Sequence, residues 1–365
     1  MDKIHPILAN ILSLANPISW QSAIDLADQG IVAWLSGLDR RNFSKIYFTG
    51  CGTSLYNGQV AKYFCERLAH IPAEAVPAFS FASYAEPAVL GPHSLVVGIS
   101  TSGDTHSVCA ALERARQAGA VTLALTAFSG SPVTKAAAPG ATILTGGHTD
   151  LMGVKTSSYV QALVVLSILA ARLGDRPDEL PGWLEQVKAA AQGAAAYLAG
   201  QRGQIEQLAR QYAKASNVFI LGSGPNLGTA EEGSLKMIEM AKMYSECQEL
   251  EDFFHGRLRE VDQGSPMIFI APSGPSIPRL LDFLTVTHHI GAPSIVLTDQ
   301  DNPAIHSLAT HVVQLPVVLD ELATPLLYII PLYLFGYEMA LQRGFDPSAR
   351  RYNLVPQKVK YGDVL

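Results

Sequence analysis

Two short segments rich in glycine, serine and threonine each follow an apolar run and precede a helical stretch. They are Gly50-Cys-Gly-Thr-Ser54 and Ser100-Thr-Ser-Gly-Asp-Thr105. At the carboxyl ends of parallel strands, backbone N–H groups and hydroxyls at helix N-termini attract anions. The segments therefore predict a phosphate site without lysines, made by Cys51, Gly52, Thr53, Ser54, Ser100, Thr101, Ser102 and Thr105. The alternative is two capped turns, with Ser102 or Thr105 as an N-cap.

A third segment, from Glu231 to Lys242, has a charged stripe at helical spacing. Glu232, Lys236 and Glu239 stand at i, i+4 and i+7, on one face of a helix. A lysine between two carboxylates keeps a glutamate ionised and ready to act as a base. The spacing alone favours the alternative, an ion-pair stripe in solvent.

His255 is the fourth candidate, sixteen residues after Glu239. It follows Phe253 and Phe254, and a histidine after two aromatic residues is more often part of a core or an interface than a catalyst. We interpret the aromatic pair as suited to a buried interface between subunits. Metal sites are not predicted, because His148 with Asp150 and the pair His288-His289 lack helical ligand spacing, and no Walker A motif is present.

The elements that must position these residues occur twice. Gly50 and Gly52 recur as Gly222 and Gly224, and Thr126 recurs as Thr298, all at an offset of 172 residues. In the second copy the loops read Gly222-Ser-Gly-Pro-Asn226 and Ala271-Pro-Ser-Gly-Pro275, with prolines where the first copy has hydroxyl or amide donors. We therefore expect only the first copy to hold phosphate in these loops.

Each copy alternates short apolar runs with longer helical stretches, which indicates parallel strands covered on both faces. The predicted strands are Lys45–Phe48, Leu95–Ile99, Val121–Leu125, Asn217–Leu221, Met267–Ile270 and Ser294–Leu297. The fold class predicted is α/β, with two tandem doubly wound αβα sandwiches. The predicted organisation is a helical segment (1–35), a first domain (36–178), linker helices (179–204), a second domain (205–345) and an extended tail (346–365).

Composition narrows the class of protein. An apolar fraction of 48 % and a charged fraction of 16 % indicate well-buried cores, and a net charge of −6 without a basic run argues against nucleic acid. The apolar stretches Tyr159–Leu173 and Tyr328–Leu341 are shorter than a membrane span, so we interpret them as core helices. Four scattered cysteines and the lack of a signal-peptide pattern predict a cytoplasmic protein with reduced thiols.

Taken together, these motifs resemble the SIS (sugar isomerase) family, and above all the isomerase half of the glutamine–fructose-6-phosphate amidotransferases and their glutaminase-free relatives. The motifs are Cys51-Gly-Thr-Ser54, Ser100-Thr-Ser-Gly-Asp-Thr105, Leu235-Lys-Met-Ile-Glu239 and His255, in the family's order and with its spacing between glutamate and histidine. The resemblance covers about residues 36–360 and implies two tandem SIS domains.

The resemblance also implies roles for single residues. Thr53, Ser54, Ser100, Ser102 and Thr105 would bind the phosphate of a sugar phosphate. Glu239 would move a proton between C1 and C2 with Lys236 beside it, and His255 would open the sugar ring, reaching into the site of a neighbouring subunit. The active form would then be a homodimer or a larger homo-oligomer, and no cofactor is needed.

Two departures from the amidotransferases bear on the reaction. No glutaminase domain is expected, so the chain would not make ammonia from glutamine. The active-site lysine of the amidotransferase tail is replaced by Pro356 in Asn353-Leu-Val-Pro356, which leaves Lys358 as a candidate, and the tail resembles those of ketosamine-6-phosphate deglycases. The amidotransferase segment Gly-Val-Ala-Ser-Thr-Lys appears here as Gly153-Val-Lys-Thr-Ser-Ser158. We therefore expect backbone contacts to the substrate near Val154 to persist, although the neighbouring side chains differ.

The resemblance therefore implies an enzyme that cleaves the C–N bond of a ketosamine 6-phosphate or an amino-sugar 6-phosphate. An aldose–ketose phosphosugar isomerase, or a synthase-like isomerase without a glutaminase, is the nearest alternative. A non-catalytic phosphosugar-binding regulator is the alternative from another class, but Glu239 and His255 would be unnecessary for sensing.

Overall fold

The computed structural model describes residues 4–38, 43–146, 150, 153–174, 176 and 178–351. The helices and strands are α1 Pro6–Ser13, α2 Pro17–Leu35, β1 Lys45–Gly50, α3 Thr53–Phe64, β2 Ala73–Pro77, α4 Ala78–Tyr84, β3 Ser94–Ile99, α5 His106–Gln117, β4 Val121–Thr126, α6 Pro132–Ala136, β5 Thr142–Leu144, α7 Ser157–Leu173, α8 Glu179–Gly200, α9 Arg202–Tyr212, β6 Asn217–Gly222, α10 Asn226–Ala241, β7 Tyr244–Glu249, α11 Leu250–Phe254, β8 Met267–Ile270, α12 Ile277–Ile290, β9 Ser294–Thr298, α13 Pro303–Leu308, β10 His311–Gln314 and α14 Pro325–Gln342.

These elements form two compact units. The N-terminal unit takes the described residues within 21–149, 158–181 and 350–351, and the C-terminal unit takes those within 4–20, 150–157 and 182–349. The domain boundaries expected from the sequence stay predictions.

Each unit has one five-stranded sheet in which every pairing is parallel. The strand order is β2-β1-β3-β4-β5 in the N-terminal unit and β10-β9-β8-β6-β7 in the C-terminal unit. From the other edge of the sheet, the second order is β7-β6-β8-β9-β10, which is the first order with each strand replaced by its repeat. The predicted fold class, two doubly wound parallel α/β units, is confirmed.

The central strands are the ones that the sequence predicted. All six residues of β3 are buried, as are all four of β8, because helices cover both faces of each sheet. In the segment where linker helices were expected, α8 ends at Gly200 and α9 begins at Arg202. Within the described residues, no helix combines the length and apolar character that a bilayer span requires.

The strand order fixes where a ligand is expected in the N-terminal unit. The connections leave β1 and β3 toward opposite sides of the sheet, and in such sheets ligands bind in the crevice outside the carboxyl ends of these two neighbouring strands. The register places Thr49 of β1 opposite Gly98 of β3, so the two segments that follow these strands leave the same edge of the sheet.

Candidate functional site

The first loop turns from β1 into α3 within two residues, and glycine makes this possible. A Cβ on Gly50 would lie 2.8 Å from the backbone carbon of Ser54, and Gly52 has a φ of +53°. The Ser54 N–H donates to the Cys51 carbonyl at 3.2 Å, and α3 begins at Thr53. The amino end of α3 is thereby held at the carboxyl edge of the sheet, where its dipole favours an anion.

The second loop brings hydroxyls together after β3. The Ser100 Oγ lies 2.8 Å from the Thr105 Oγ1, and it also accepts the Gly103 N–H at 3.1 Å. Gly103 has a φ of +71°, and a Cβ there would lie 2.3 Å from the Ser131 Oγ, so glycine is required. The exposed Ser102 hydroxyl donates to the Asp104 carboxylate.

The capping alternative fits this loop poorly. Thr105 does occupy the N-cap position of α5, but its side chain makes no capping hydrogen bond. Its hydroxyl meets Ser100 instead. The first loop also contacts the helix that follows the second, because the Cys51 Sγ lies 3.3 Å from the Ser107 Oγ in the first turn of α5. We call the residues 50–54 and 100–105 together the hydroxyl cradle.

All the predicted phosphate ligands lie in the N-terminal unit, on the two segments that follow β1 and β3. Thr53, Ser100 and Thr101 are buried, whereas Cys51, Gly52 and Ser102 are exposed. Their part in binding phosphate stays a prediction. Val154 is buried in the C-terminal unit, and Lys358 lies outside the described residues.

The charged stripe on α10 lies in the C-terminal unit and is not a solvated surface. The Lys236 side chain is wholly buried, with its Nζ 3.3 Å from Glu232 Oε1 and 2.5 Å from Glu239 Oε2. Glu232 is equally buried and accepts a hydrogen bond from the Tyr333 hydroxyl at 3.2 Å, whereas 34 % of the Glu239 side chain is exposed. Glu239 can therefore meet a substrate.

Two opposing effects set the pKa of Lys236. Burial lowers it, but the charges and hydrogen bonds of Glu232 and Glu239 outweigh burial and raise the pKa above its usual value. Lys236 is therefore an ammonium at neutral pH, and an ammonium in contact with Glu239 favours the ionised carboxylate that a general base requires.

His255 directly follows α11, and 72 % of its side chain is exposed. Its Nε2 lies 3.2 Å from Glu251 Oε1, and the Arg279 guanidinium also binds the Glu251 carboxylate. The Arg279 hydrogen bond, followed by that of His255, holds the pKa of Glu251 below its usual value. Glu251 thus orients the imidazole, which opens on a groove of about 720 Å³.

The interpretation of Phe253 and Phe254 as an interface pair is wrong. Phe253 is fully buried in the core of its own unit, with its ring 5.2 Å from that of Phe219. Phe254 stacks on Phe283 with a centroid separation of 3.4 Å. The pair therefore anchors α11, and with it His255, to the C-terminal unit, and gives no support to an oligomer.

Sequence reasoning missed three of these residues. Glu251 could have been found, because it precedes His255 by four residues and a helical turn brings such pairs together. Arg279 and Tyr333 come from distant elements, and no local pattern points to them. Among the described residues, no group of three or more His, Cys, Asp or Glu side chains could hold a metal ion.

Comparisons with known proteins agree with this architecture. The model of the SIS domain matches residues 41–172 and 211–343. Glutamine–fructose-6-phosphate aminotransferase (isomerizing) from Methanothermobacter thermautotrophicus is 30 % identical over 309 residues, which cover 83 % of this chain and 50 % of that protein. The chain therefore spans about half the length of the curated relatives it matches.

Two solved structures share the fold along nearly the whole chain. The C-terminal domain of glucosamine-fructose-6-phosphate aminotransferase from Francisella tularensis gives a TM-score of 0.80 at 21 % identity, covering 95 % of this chain and 98 % of that one. Tagatose-6-phosphate ketose/aldose isomerase from Escherichia coli gives 0.80 at 20 % identity, covering 94 % of each chain. One fold thus carries different reactions in these proteins.

Proposed function

The chain belongs to the SIS domain family, and from that premise we propose that it is an enzyme that breaks a C–N bond in an open-chain phosphorylated amino sugar. The substrate class is a ketosamine 6-phosphate or an amino-sugar 6-phosphate. The observation that carries the proposal is the buried Lys236 ammonium in contact with the partly exposed Glu239 carboxylate. Such a pair suits proton transfer at carbon and serves no purpose in a protein that only binds sugar phosphates.

In this mechanism the hydroxyl cradle holds the phosphate, and His255 passes the proton that opens the sugar ring. For a ketosamine 6-phosphate, which has its amine on C1, Glu239 removes a proton from C1, and the C–H electron pair forms the C1=C2 bond of an enaminol as the C2 carbonyl takes a proton; in a 2-amino-sugar 6-phosphate, C1 and C2 exchange these roles. Return of a proton to C2, with loss of the N–H proton, gives an imine at C1. Water adds to the imine, and the carbinolamine releases the amine and an aldose phosphate. The C2 carbonyl is the electron sink, so no redox change occurs.

An aldose–ketose isomerase would use the same Glu239 and His255, and it is the second candidate. Fold similarity to a ketose/aldose isomerase favours it. The tail sequence supports C–N cleavage instead, because Pro356 stands where the amidotransferases have a lysine and the residues that follow resemble deglycase tails.

A direct assay separates the two. Purified protein is given ketosamine 6-phosphates, glucosamine 6-phosphate, and glucose or fructose 6-phosphate, and amine release and ketose–aldose conversion are measured in parallel. Amine release from the nitrogen-containing substrates is expected. Conversion of the nitrogen-free sugars without amine release would replace the proposal by the isomerase.

Glu239→Gln should lower turnover by about 10²–10⁴-fold, the range for loss of a positioned proton-transfer group, while leaving phosphosugar binding nearly unchanged. Glu206→Gln is the matched control, since Glu206 is a helical glutamate in an exposed pair with Arg210. Full activity of Glu239→Gln would refute its assignment as the base.

We further propose that the active form is a homodimer or a larger homo-oligomer in which His255 serves the site of a neighbouring chain. The exposure of His255 supports this, because a proton-transfer group on an open surface needs a second surface to exclude water. Mixing inactive His255→Ala chains with inactive Ser102→Ala/Thr105→Ala chains should restore about a quarter of the activity, since half the dimers are hybrids with one intact site each. No recovery after demonstrated subunit exchange would show that His255 serves its own chain or does not act in catalysis.

A further inference from the structure

We propose that Glu232, held by Tyr333, is the resident counter-ion that keeps Lys236 an ammonium while Glu239 carries a proton taken from the substrate. The inference rests on the proton shift of the proposed function. It adds two positioning residues, Glu232 and Tyr333, which act through Lys236 and do not touch the substrate.

The geometry gives Lys236 two carboxylate partners with different surroundings. Glu239, three residues after Lys236, is the closer carboxylate and is partly exposed to solvent. Glu232, four residues before Lys236, is wholly buried, and its Oε1 lies 3.3 Å from the Lys236 Nζ. Tyr333 comes from α14, which packs along α10, and its hydroxyl donates to Glu232. A hydrogen bond to the charged form of a buried carboxylate favours that form.

Carboxylates on the elements packed against α10 have partners other than Lys236. On α14, Glu338 pairs with Arg202 at 3.0 Å. On β7, Glu246 pairs with Arg257, and Glu249 accepts the Ser223 hydroxyl. Glu231 precedes Glu232 on α10, and burial raises the pKa of Glu231 to about 7. Glu232 and Glu239 are thus the carboxylates in contact with the Lys236 ammonium.

The catalytic cycle makes the second partner necessary. When Glu239 takes the C1 proton it becomes a neutral acid and no longer balances the ammonium. A buried ion that loses its partner is strongly destabilised. With Glu232 in place, Lys236 keeps one carboxylate partner in both protonation states of Glu239, so the proton can move without leaving an uncompensated buried charge.

A stability cycle tests this without any assay of activity. Glu232→Gln and Glu239→Gln each leave Lys236 one carboxylate, whereas the double variant leaves neither. We expect the unfolding midpoint of the double variant to fall by more than the sum of the two single shifts. Adding Lys236→Met to the double variant should recover much of that loss, because the unpaired ammonium is then gone. Additive shifts, or no recovery with Lys236→Met, would overturn the proposal.

A kinetic cycle tests the role of Tyr333. Tyr333→Phe and Glu232→Gln should each lower kcat about tenfold with KM nearly unchanged, and Tyr333→Phe should add little in the Glu232→Gln background because it acts through Glu232. In Glu232→Gln the alkaline limb of the kcat–pH profile should move to lower pH, since Lys236 then loses its proton more readily while Glu239 is neutral.

The matched control is Tyr328→Phe, another fully buried tyrosine of α14. Its effect should be the same in both backgrounds. Equal effects of Tyr333→Phe in both backgrounds would mean that Tyr333 is only structural, and would overturn its part in the proposal. Absence of amine release by the unmodified protein would refute the proposed function, whereas the stability cycle would still decide on the counter-ion.

Discussion

The N-terminal and C-terminal units share one strand order, yet the hydroxyl groups of their corresponding loops have different hydrogen-bond acceptors. In the C-terminal unit the Ser273 N–H and hydroxyl both donate to Asp299 Oδ1, at 2.8 and 2.7 Å, and the Ser223 hydroxyl donates to Glu249 at 2.7 Å. In the repeat register, Ala127 of the N-terminal unit occupies the position of Asp299. The loops of the C-terminal unit therefore bind carboxylates from the ends of neighbouring strands, whereas the cradle hydroxyls of Ser100 and Thr105 pair with each other, and we expect an external anion to bind there.

The helices that follow these loops also differ between the units, but here the charged groups belong to the C-terminal unit. In the same register, Val60 and Phe64 of α3 correspond to Glu232 and Lys236 of α10, and all four side chains are fully buried. The helix is an apolar core element in the N-terminal unit and a charged site in the C-terminal unit. Under the proposed function, the two copies of one fold would divide the work, with anion binding in the loops of one and proton transfer on the helix of the other.

Giving α10 the apolar residues of α3 should have the largest effect. Glu232→Val/Lys236→Phe removes the ammonium beside Glu239 and should lower turnover by at least about 10²-fold. The stability of the double variant should be kept or raised, because apolar residues of similar size often replace a buried ion pair without loss.

Lys236→Phe alone is the control for this exchange. It leaves Glu232 as a buried, uncompensated charge, so denaturant unfolding should show a loss of about 3–5 kcal/mol. If Glu232→Val/Lys236→Phe were less stable than Lys236→Phe alone, the apolar residues of α3 could not replace the buried ion pair of α10, and the comparison of the two helices would be wrong.

Removing hydroxyls from the cradle should act on binding. Ser102→Ala/Thr105→Ala loses two donors to a charged phosphate, each worth about 1.5–3 kcal/mol, so the Kd for a sugar phosphate should rise about 10²-fold or more. Calorimetry provides the measurement. The corresponding Ser223→Ala/Ser273→Ala variant of the C-terminal unit should leave the Kd unchanged, and equal losses from the two variants would refute the asymmetry.

Placing a carboxylate like that of Asp299 in the N-terminal unit is a second test of the difference in anion binding between the two units. Ala127→Asp places a negative charge in the N-terminal unit where the C-terminal unit has Asp299. Two unit charges about 5 Å apart near a protein surface repel each other by about 3 kcal/mol, so a carboxylate that faces the anion should raise the Kd for phosphosugars about a hundredfold. Ala127→Asn is the matched control, with the same shape and no charge. Equal Kd values for the two variants would show that position 127 does not face the anion.

The smallest effect is expected from Asp299→Asn. The change keeps the shape but weakens two hydrogen bonds to a charged acceptor, so the unfolding free energy should fall by about 1–3 kcal/mol with no change in phosphosugar affinity. Asp301→Asn is the control, since 96 % of the Asp301 side chain is exposed. Loss of affinity in Asp299→Asn would mean that the C-terminal loops also take part in binding.

How far the sequence could predict this structure depends on how local each signal is. The central strands were predictable because both of their faces are buried and apolar, as in Ser94–Ile99. The edge strand β7, Tyr244–Glu249, was not, since its partly exposed residues include glutamate and glutamine, and it pairs on one side only, with β6.

The same distinction holds for the site. Loops of glycine and hydroxyl residues and a charged helical stripe are patterns within a dozen residues, so the hydroxyl cradle and the Glu232–Lys236–Glu239 contact could be predicted. The bond from Tyr333 to Glu232 joins residues 101 apart, and the bonds from Ser273 to Asp299 join residues 26 apart. Such pairs become visible only when the chain is folded, because tertiary packing decides them.

The carboxylate of Asp299 has a further consequence under the proposed function, since the stability of the two units should then respond differently to the concentration of the sugar phosphate. A ligand that binds only the folded state stabilises it by mass action, by about 2.7 kcal/mol at a hundred times its Kd. The Ser273 N–H donates to Asp299, a residue of the same chain. Its protection from hydrogen exchange should therefore be independent of the phosphosugar concentration. Under the proposed function, the loops of the hydroxyl cradle would gain further protection as the sugar phosphate accumulates, so the abundance of the substrate would set how long this unit resists proteolysis.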